Sequence, residues 1–206
     1  MTTTRVPPPD PPWEGPAAHD SGPGNLPATR VVIHSTVSPC KAGGRHDIAA
    51  YFRSPQAKGS AHYITDPVAA CQSVGDHTIA WHAPPNPHSF GIEMCDIPGP
   101  VPGDGFFSAA AKALRRVWRW RRPEQQAMLH VTAQLAAQLC AAYGIPPRWV
   151  GVRALRAGRG HGVTSHANVS QAFGQSTHWD PGLWPRRRFM RLVRTYHHHL
   201  IEEAQS

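Results

Sequence analysis

Two histidines and an aspartate carry the most distinctive chemistry available to this chain. His34 closes the β-branched run Arg30 to Thr36, RVVIHST, while His166 and Asp180 stand in the turn-rich stretch HANVSQAFGQSTHWDPG. Imidazole nitrogen and carboxylate oxygen bind zinc at about 2.0–2.2 Å, and three protein ligands with an open fourth position form a catalytic zinc centre. Each residue also has an ordinary reading. His34 could be a hydrogen-bonded core histidine, and Asp180 precedes Pro-Gly, common turn chemistry. Spacing alone leaves the two readings open.

Fourteen histidines are too many for all to act. His197, His198 and His199, consecutive on a helix, cannot all face one metal, and His19, His46 and His88 read as surface. The cysteines at 40, 71, 95 and 140 form no CxxC pair, which argues against a thiolate zinc site or a thioredoxin-like motif. Cys140 falls in a helical pattern and reads as a buried apolar residue. Cys40 and Cys71 both fall near strand ends, so a disulfide between them is an open expectation.

Elements must hold these groups. Residues 1–27 are Pro-rich and read as an extended N-terminal arm, lying against the domain through Trp13; residues 28–206 read as the catalytic domain. Val31, Val32 and Ile33 are a continuous apolar run, as in a strand buried on both faces. Strands are expected at 61–65, 70–74 with a turn at Asp66-Pro67, 90–95, and near 149–152. Helices are expected near 47–53, at 106–120, from Pro123 to Gly144, and at 186–203. Gly174, Ser176, Pro181 and Gly182 predict a loop from 166 to 182. The whole reads as an α/β domain, a mixed central sheet of about five to six strands with helices on both faces.

The bulk numbers narrow the class. The chain has 206 residues and a formal net charge of +8, and 18 of its 21 basic residues are Arg. Such a surface suits a polyanion: nucleic acid, an anionic membrane or a phosphate-bearing cell wall. No apolar run reaches the ~20 residues a bilayer span needs. The start, MTTTRVPPPDPPWEGP, lacks the apolar core of a signal peptide, so a protein without a standard export signal is expected. The Arg-rich stretches 115–122 and 186–194 lie at helix ends and on amphipathic faces. No nucleic-acid motif accompanies them, so a nucleic-acid partner is not expected.

Five segments in order, RVVIHST, SAHYIT, IAWHAP, SFGIEM and HANVS with THWDPG, resemble the type 2 N-acetylmuramoyl-L-alanine amidases, which share their fold with the peptidoglycan recognition proteins. SPCKAGG, AHYITDP, HAPPNPHS and GIEMCD look particularly like the amidase modules of phage endolysins. The resemblance covers about residues 29–195. It implies zinc held by His34, His166 and Asp180. The family usually has Asp two residues beyond its second histidine; Asn168 stands there, and nearby His161 competes with His166 for that role. Members with an Asp ligand often have Lys two residues earlier, where this chain has His178, an oxyanion donor by analogy. Glu93 matches a glutamate that acts on the zinc water. Members without it use a tyrosine near the AHYIT strand, which leaves Tyr63 as the alternative base. Trp81 and His82 are expected to line the groove, with His62 and Tyr63 near it.

The implied reaction is cleavage of the amide between N-acetylmuramic acid and L-alanine of the stem peptide of bacterial peptidoglycan. The implied setting is a bacteriophage lysin, monomeric and antimicrobial, made in the host cytoplasm and released to the wall by a holin. The competing reading is a peptidoglycan-binding module without catalysis.

Overall fold

The computed structural model describes residues 6–98 and 105–206; the first five residues of the Pro-rich segment lie outside them. Among the described residues, seven strands and six helices form in the order β1 (Asp20–Pro23), β2 (Arg30–Ser35), α1 (Gly44–Arg53), β3 (Tyr63–Thr65), β4 (Ala70–Gln72), β5 (Thr78–Ala80), β6 (Ser89–Met94), α2 (Phe106–Arg119), α3 (Pro123–Tyr143), α4 (Val152–Arg156), β7 (Gly162–Ser165), α5 (His166–Phe173) and α6 (Arg186–Gln205). Five strands make one mixed sheet in the order β4-β3-β6-β2-β7. Only the β3–β4 edge pair is antiparallel. β1 and β5 form a separate antiparallel pair.

β2 lies between β6 and β7, which explains its unbroken apolar run: both faces are covered. Alternation sends Val31 and Ile33 to one face, and Val32 and His34 to the other. The first face, with Phe90, Ile92 and Met94 of β6, packs against α3 in the main core. Helix α3 is itself covered by α6, so its residues are buried nearly all round, among them Met128, Leu129, Ala133, Ala136 and Leu139. The opposite face is covered only at its ends, by α1 over β3 and β4 and by α5 over β2 and β7. Between these covers the sheet's middle is left accessible as a groove.

Three local expectations change. The stretch from His166 is not all loop: α5 forms because Ser165 caps it, its hydroxyl accepting from Asn168 N, and because the first breaker is Gly174, at φ 68°. Near Trp149 the chain makes a single bridge to Val163 rather than a strand, and Val152 already begins α4. The Cys40–Cys71 bridge is not formed. All four cysteines are free; Cys40 Sγ lies 3.8 Å from Met128 Sδ, while Cys71 Sγ points to Arg45 O at 3.9 Å. The two thiols face different neighbours, and burial pushes both up to about 12.

The Pro-rich segment packs from Val6 onward. Val6 and Ala17 are buried, Trp13 bridges to Gln72, and Asn25 is fully buried, donating from its amide to Asp76 O at 3.2 Å. No helix among the described residues is long and apolar enough to cross a membrane.

Candidate metal centre and groove

His34 and Glu93 face the same way because they are register partners on adjacent parallel strands. His34 Nδ1 lies 3.9 Å from Glu93 Oε1. His166 arrives from the other side of β2: β7 pairs with β2, ends at Ser165, and α5 starts at once with His166. Asp180 is tied to the start of that helix by Ala167 N donating to its carbonyl at 2.9 Å. Its carboxylate then divides between the two rings, Oδ2 at 3.3 Å from His34 Nδ1 and Oδ1 at 3.1 Å from His166 Nδ1. Ser35 N also donates to Oδ2, at 3.3 Å. All three side chains are buried, and one ligand atom from each lies within 4.8 Å of the others. His161, the competing histidine, is exposed and outside this group.

A chain of donors fixes which His34 nitrogen is free. Ser89 Oγ has a single proton and gives it to Asn86 O at 2.6 Å. His82 Nε2, 3.0 Å from that hydroxyl, must therefore be the donor to it. His82 Nδ1 is left as an acceptor and takes the proton of His34 Nε2 across 3.1 Å. His34 Nδ1 consequently presents a lone pair toward Asp180 and Glu93, the arrangement a metal ligand needs. Gly91 makes this possible, since a Cβ there would come within 2.7 Å of the His82 ring. His82 is further pinned by its backbone N–H on Asn86 Oδ1 at 3.1 Å.

The electrostatics match. Burial, reinforced by the neighbouring His166, lowers His34 to about 4, so its ring is neutral near pH 7. Burial, then the neighbouring His34 ring, holds His82 well below its ordinary value. Burial would raise Asp180, but the hydrogen bond from His166 and the neighbouring His34 ring outweigh that and keep it below the usual carboxylate range. Glu93 goes the other way, raised well above normal by burial and then by the charge of Asp180. Within the group of His34, Glu93, His166 and Asp180, two buried side-chain atoms have no hydrogen-bond partner, Glu93 Oε2 and His166 Nε2. Unmet buried polar atoms each cost about 1–3 kcal/mol. Two imidazole nitrogens and a carboxylate, buried together and turned toward one point, fit a zinc ion.

The groove around them has a volume of about 530 Å³, and Trp81, His82, Glu93, His178 and Trp179 are among its lining residues. His178 stacks on His166 with centroids 4.2 Å apart, its Nδ1 3.8 Å from Asp180 Oδ1 and its side chain mostly exposed. Burial and the adjacent His166 lower its pKa, so the neutral imidazole, with one N–H to donate, is the form favoured. Trp81 is half-exposed at the rim, stacked on His19 at 5.1 Å and donating to Ser21 Oγ at 2.7 Å. Two expected groove residues lie elsewhere. His62 is fully buried behind His82, accepting from Gly91 N at 3.2 Å and donating to Thr78 O at 2.9 Å. Tyr63 occupies the opposite sheet face, its ring against Phe90 and its hydroxyl on Asp76; burial, then Asp76, raises its pKa. Trp179, Ser89 and Asn86 escaped the sequence reading. Only the HAPPNPHS loop, with an Asn among prolines, hinted at the last two.

Residues 24–183 match the sequence profile of N-acetylmuramoyl-L-alanine amidases, the whole span from Gly24 to Leu183 in which these groups lie. The chain belongs to the N-acetylmuramoyl-L-alanine amidase family. Solved structures agree on the amidase fold. The hydrolase AmiA of Staphylococcus aureus, solved with its ligand, superposes with a TM-score of 0.57 at 16% identity over 96% of this chain and 83% of that one. A mutant endolysin from Bacillus subtilis gives 0.56 at 17% identity, covering 89% and 98% of the respective chains. The endolysin amidase LysCS from Clostridium intestinale gives 0.53 at 16%, covering 92% and 98%. No protein of curated function matches the chain in sequence. At these identities the structural likeness speaks for the fold alone; the family assignment rests on the profile.

Proposed function

We propose that this amidase-family chain is a zinc-dependent N-acetylmuramoyl-L-alanine amidase that cuts the bond between the lactyl group of N-acetylmuramic acid and L-alanine, and that it serves a bacteriophage as an endolysin. The observation that carries the reading is the buried convergence of His34, His166 and Asp180 at the floor of a groove, with Glu93 beside them. Those three residues would hold the zinc, which when bound supplies Lewis acidity toward the scissile carbonyl and lowers the pKa of a water.

The remaining steps belong to side chains. Glu93, made a stronger base by burial, is the carboxylate placed to take a proton from water at its unpaired Oε2 and return it to the departing amine. The His178 N–H, at the groove wall, stabilises negative charge developing on the carbonyl oxygen. His82, Ser89 and Asn86 keep His34 in its ligating tautomer. Trp81 and Trp179 offer flat apolar faces to sugar or peptide. Tyr63, on the far side of the sheet, is remote from this chemistry, which leaves the base role to Glu93.

Purified peptidoglycan digested with the zinc-loaded protein, with and without chelator, tests the proposal. Chelator-sensitive release of amines with N-terminal alanine, and no new reducing sugars, is the expected result. Wall binding with neither product would make the protein a recognition module and overturn the enzymatic reading.

A further inference from the structure

Helix α2 is built inside out. At 3.6 residues per turn, Phe106, Phe107, Ala110, Leu114, Val117 and Trp118 fall within an arc of about 120°, and Lys112, Arg115, Arg116 and Arg119 occupy the opposite side. An ordinary surface helix would bury the first arc. Here it faces outward: Phe106 is 80% exposed, Phe107 87% and Trp118 60%. Of the cationic side, Arg116 and Arg119 turn inward, beside the half-buried Ala109 and Ala113, while Lys112 and Arg115 stay exposed. Arg116 is the buried residue of the helix, donating to Leu183 O at 3.0 Å, Ile97 O at 2.6 Å and Pro181 O at 3.3 Å, and paired with the buried Asp96, which also holds Arg119. The helix is fastened by its arginines and offers its aromatic face to whatever lies outside.

A collar of fixed positive charge surrounds that face. Arg115, Arg121 and Arg122 are exposed at the end of α2, with Arg121 stacked over Trp118 at 4.6 Å. A second hollow lined by Val117, Trp120, Arg121, Leu183 and Arg188 joins α2 to the start of α6, where Arg186, Arg187 and Arg191 are also exposed. No acidic residue occurs between 105 and 123 or between 181 and 201. Aromatic and aliphatic side chains ringed by arginines suit the boundary of an anionic bilayer, where rings enter the acyl region and guanidinium groups meet lipid phosphates. A second copy of the chain fits poorly, because face-to-face pairing would bring two arginine collars together. A soluble polyanion would satisfy the arginines and leave Phe106, Phe107 and Trp118 in water.

We propose that α2 is an interfacial helix that docks the protein on an anionic lipid surface through Phe106, Phe107, Leu114, Val117 and Trp118. The contact needs neither zinc nor peptidoglycan, so its test is independent of the amidase reading.

The full chain is floated with vesicles of phosphatidylglycerol and cardiolipin, and in parallel with phosphatidylcholine vesicles. At roughly 1 kcal/mol per basic residue near the surface, the anionic vesicles should bind at least ~10-fold more tightly. The double variant Phe107→Gln/Trp118→Gln should lose ~10-fold or more of that affinity, since the apolar area that enters the bilayer is removed, with an unchanged circular dichroism spectrum. The wild-type tryptophan emission should shift to the blue on anionic vesicles, less so in Trp118→Phe. Absence of binding to anionic vesicles would overturn the proposal. So would a double variant that binds as tightly as wild type, since charge alone would then suffice. A lipid-free dimer abolished by the same variant would likewise assign the face to a second copy.

Discussion

Asp180 and Asp96 are both buried carboxylates, and each stands between two basic side chains. Around Asp180 the partners are imidazoles, which burial holds neutral in the case of His34, leaving a lone pair available. The cluster opens on a groove and leaves Glu93 Oε2 and His166 Nε2 unpartnered. Around Asp96 the partners are the guanidiniums of Arg116 and Arg119, permanently charged, and Arg116 spends its remaining donors on three backbone carbonyls. That cluster locks α2 to the segment after Asp180. A carboxylate between groups that can ligate makes a centre for chemistry; one between groups that can only donate makes a clamp.

Removing each carboxylate should break different things. Asp180→Ala should weaken zinc binding at least ~100-fold and cut activity on the order of 10³-fold or more, the several kcal/mol of charge stabilisation a metal supplies. The fold should persist, because Asp180 lines the groove and is no part of the apolar core. Zinc analysis with a unfolding curve checks both, and a variant retaining full zinc and rate would remove Asp180 from the ligand set. Glu93→Gln sharpens the site side: zinc should remain while kcat falls ~10²- to 10⁴-fold, as expected for loss of a general base. Near-normal turnover would move the base role elsewhere.

Asp96→Ala should show the reverse profile. It strands the buried Arg116 charge, which costs about 3–5 kcal/mol of stability in comparable buried pairs. Zinc affinity per folded molecule should hold. A urea midpoint equal to wild type would show that the clamp contributes little.

A pH titration sharpens the histidine side of that comparison. His34 and His62 are lowered to about 4, in each case first by burial. Below about 6.5 the unfolded chain takes up protons at these positions while the folded chain does not until near pH 4. Stability of the zinc-free protein should therefore fall as pH drops from about 6.5 to 4, by up to about 1.4 kcal/mol per pH unit for each histidine. Unfolding free energy that is flat across that window would mean these rings are charged in the folded state.

The sequence made the groove's floor legible because strand alternation is legible. His34 ends an apolar run, Glu93 sits in a second strand, and both point away from the α3 side once the strands pair in parallel. His166 and Asp180 were found by their motif, although the helix between them was not, since Ser165 as a cap was overlooked. What stayed hidden depends on tertiary contact. The Asn86–Ser89–His82 chain needs Gly91 to admit a ring, and Tyr63 belongs to the other sheet face by a parity that short strands do not reveal. The arginines near the end of α2 read as a solvated surface; that Arg116 and Arg119 turn inward follows from Asp96, some twenty residues earlier in the chain.

Zinc affinity of three proteins, measured by competition with a chelating dye, tests the central contrast most directly. Wild type should bind one zinc per chain, Asp180→Ala should bind at least ~100-fold more weakly, and Asp96→Ala should match wild type under conditions where it is folded. Wild-type affinity in Asp180→Ala, or no zinc bound by the wild type, would contradict the account.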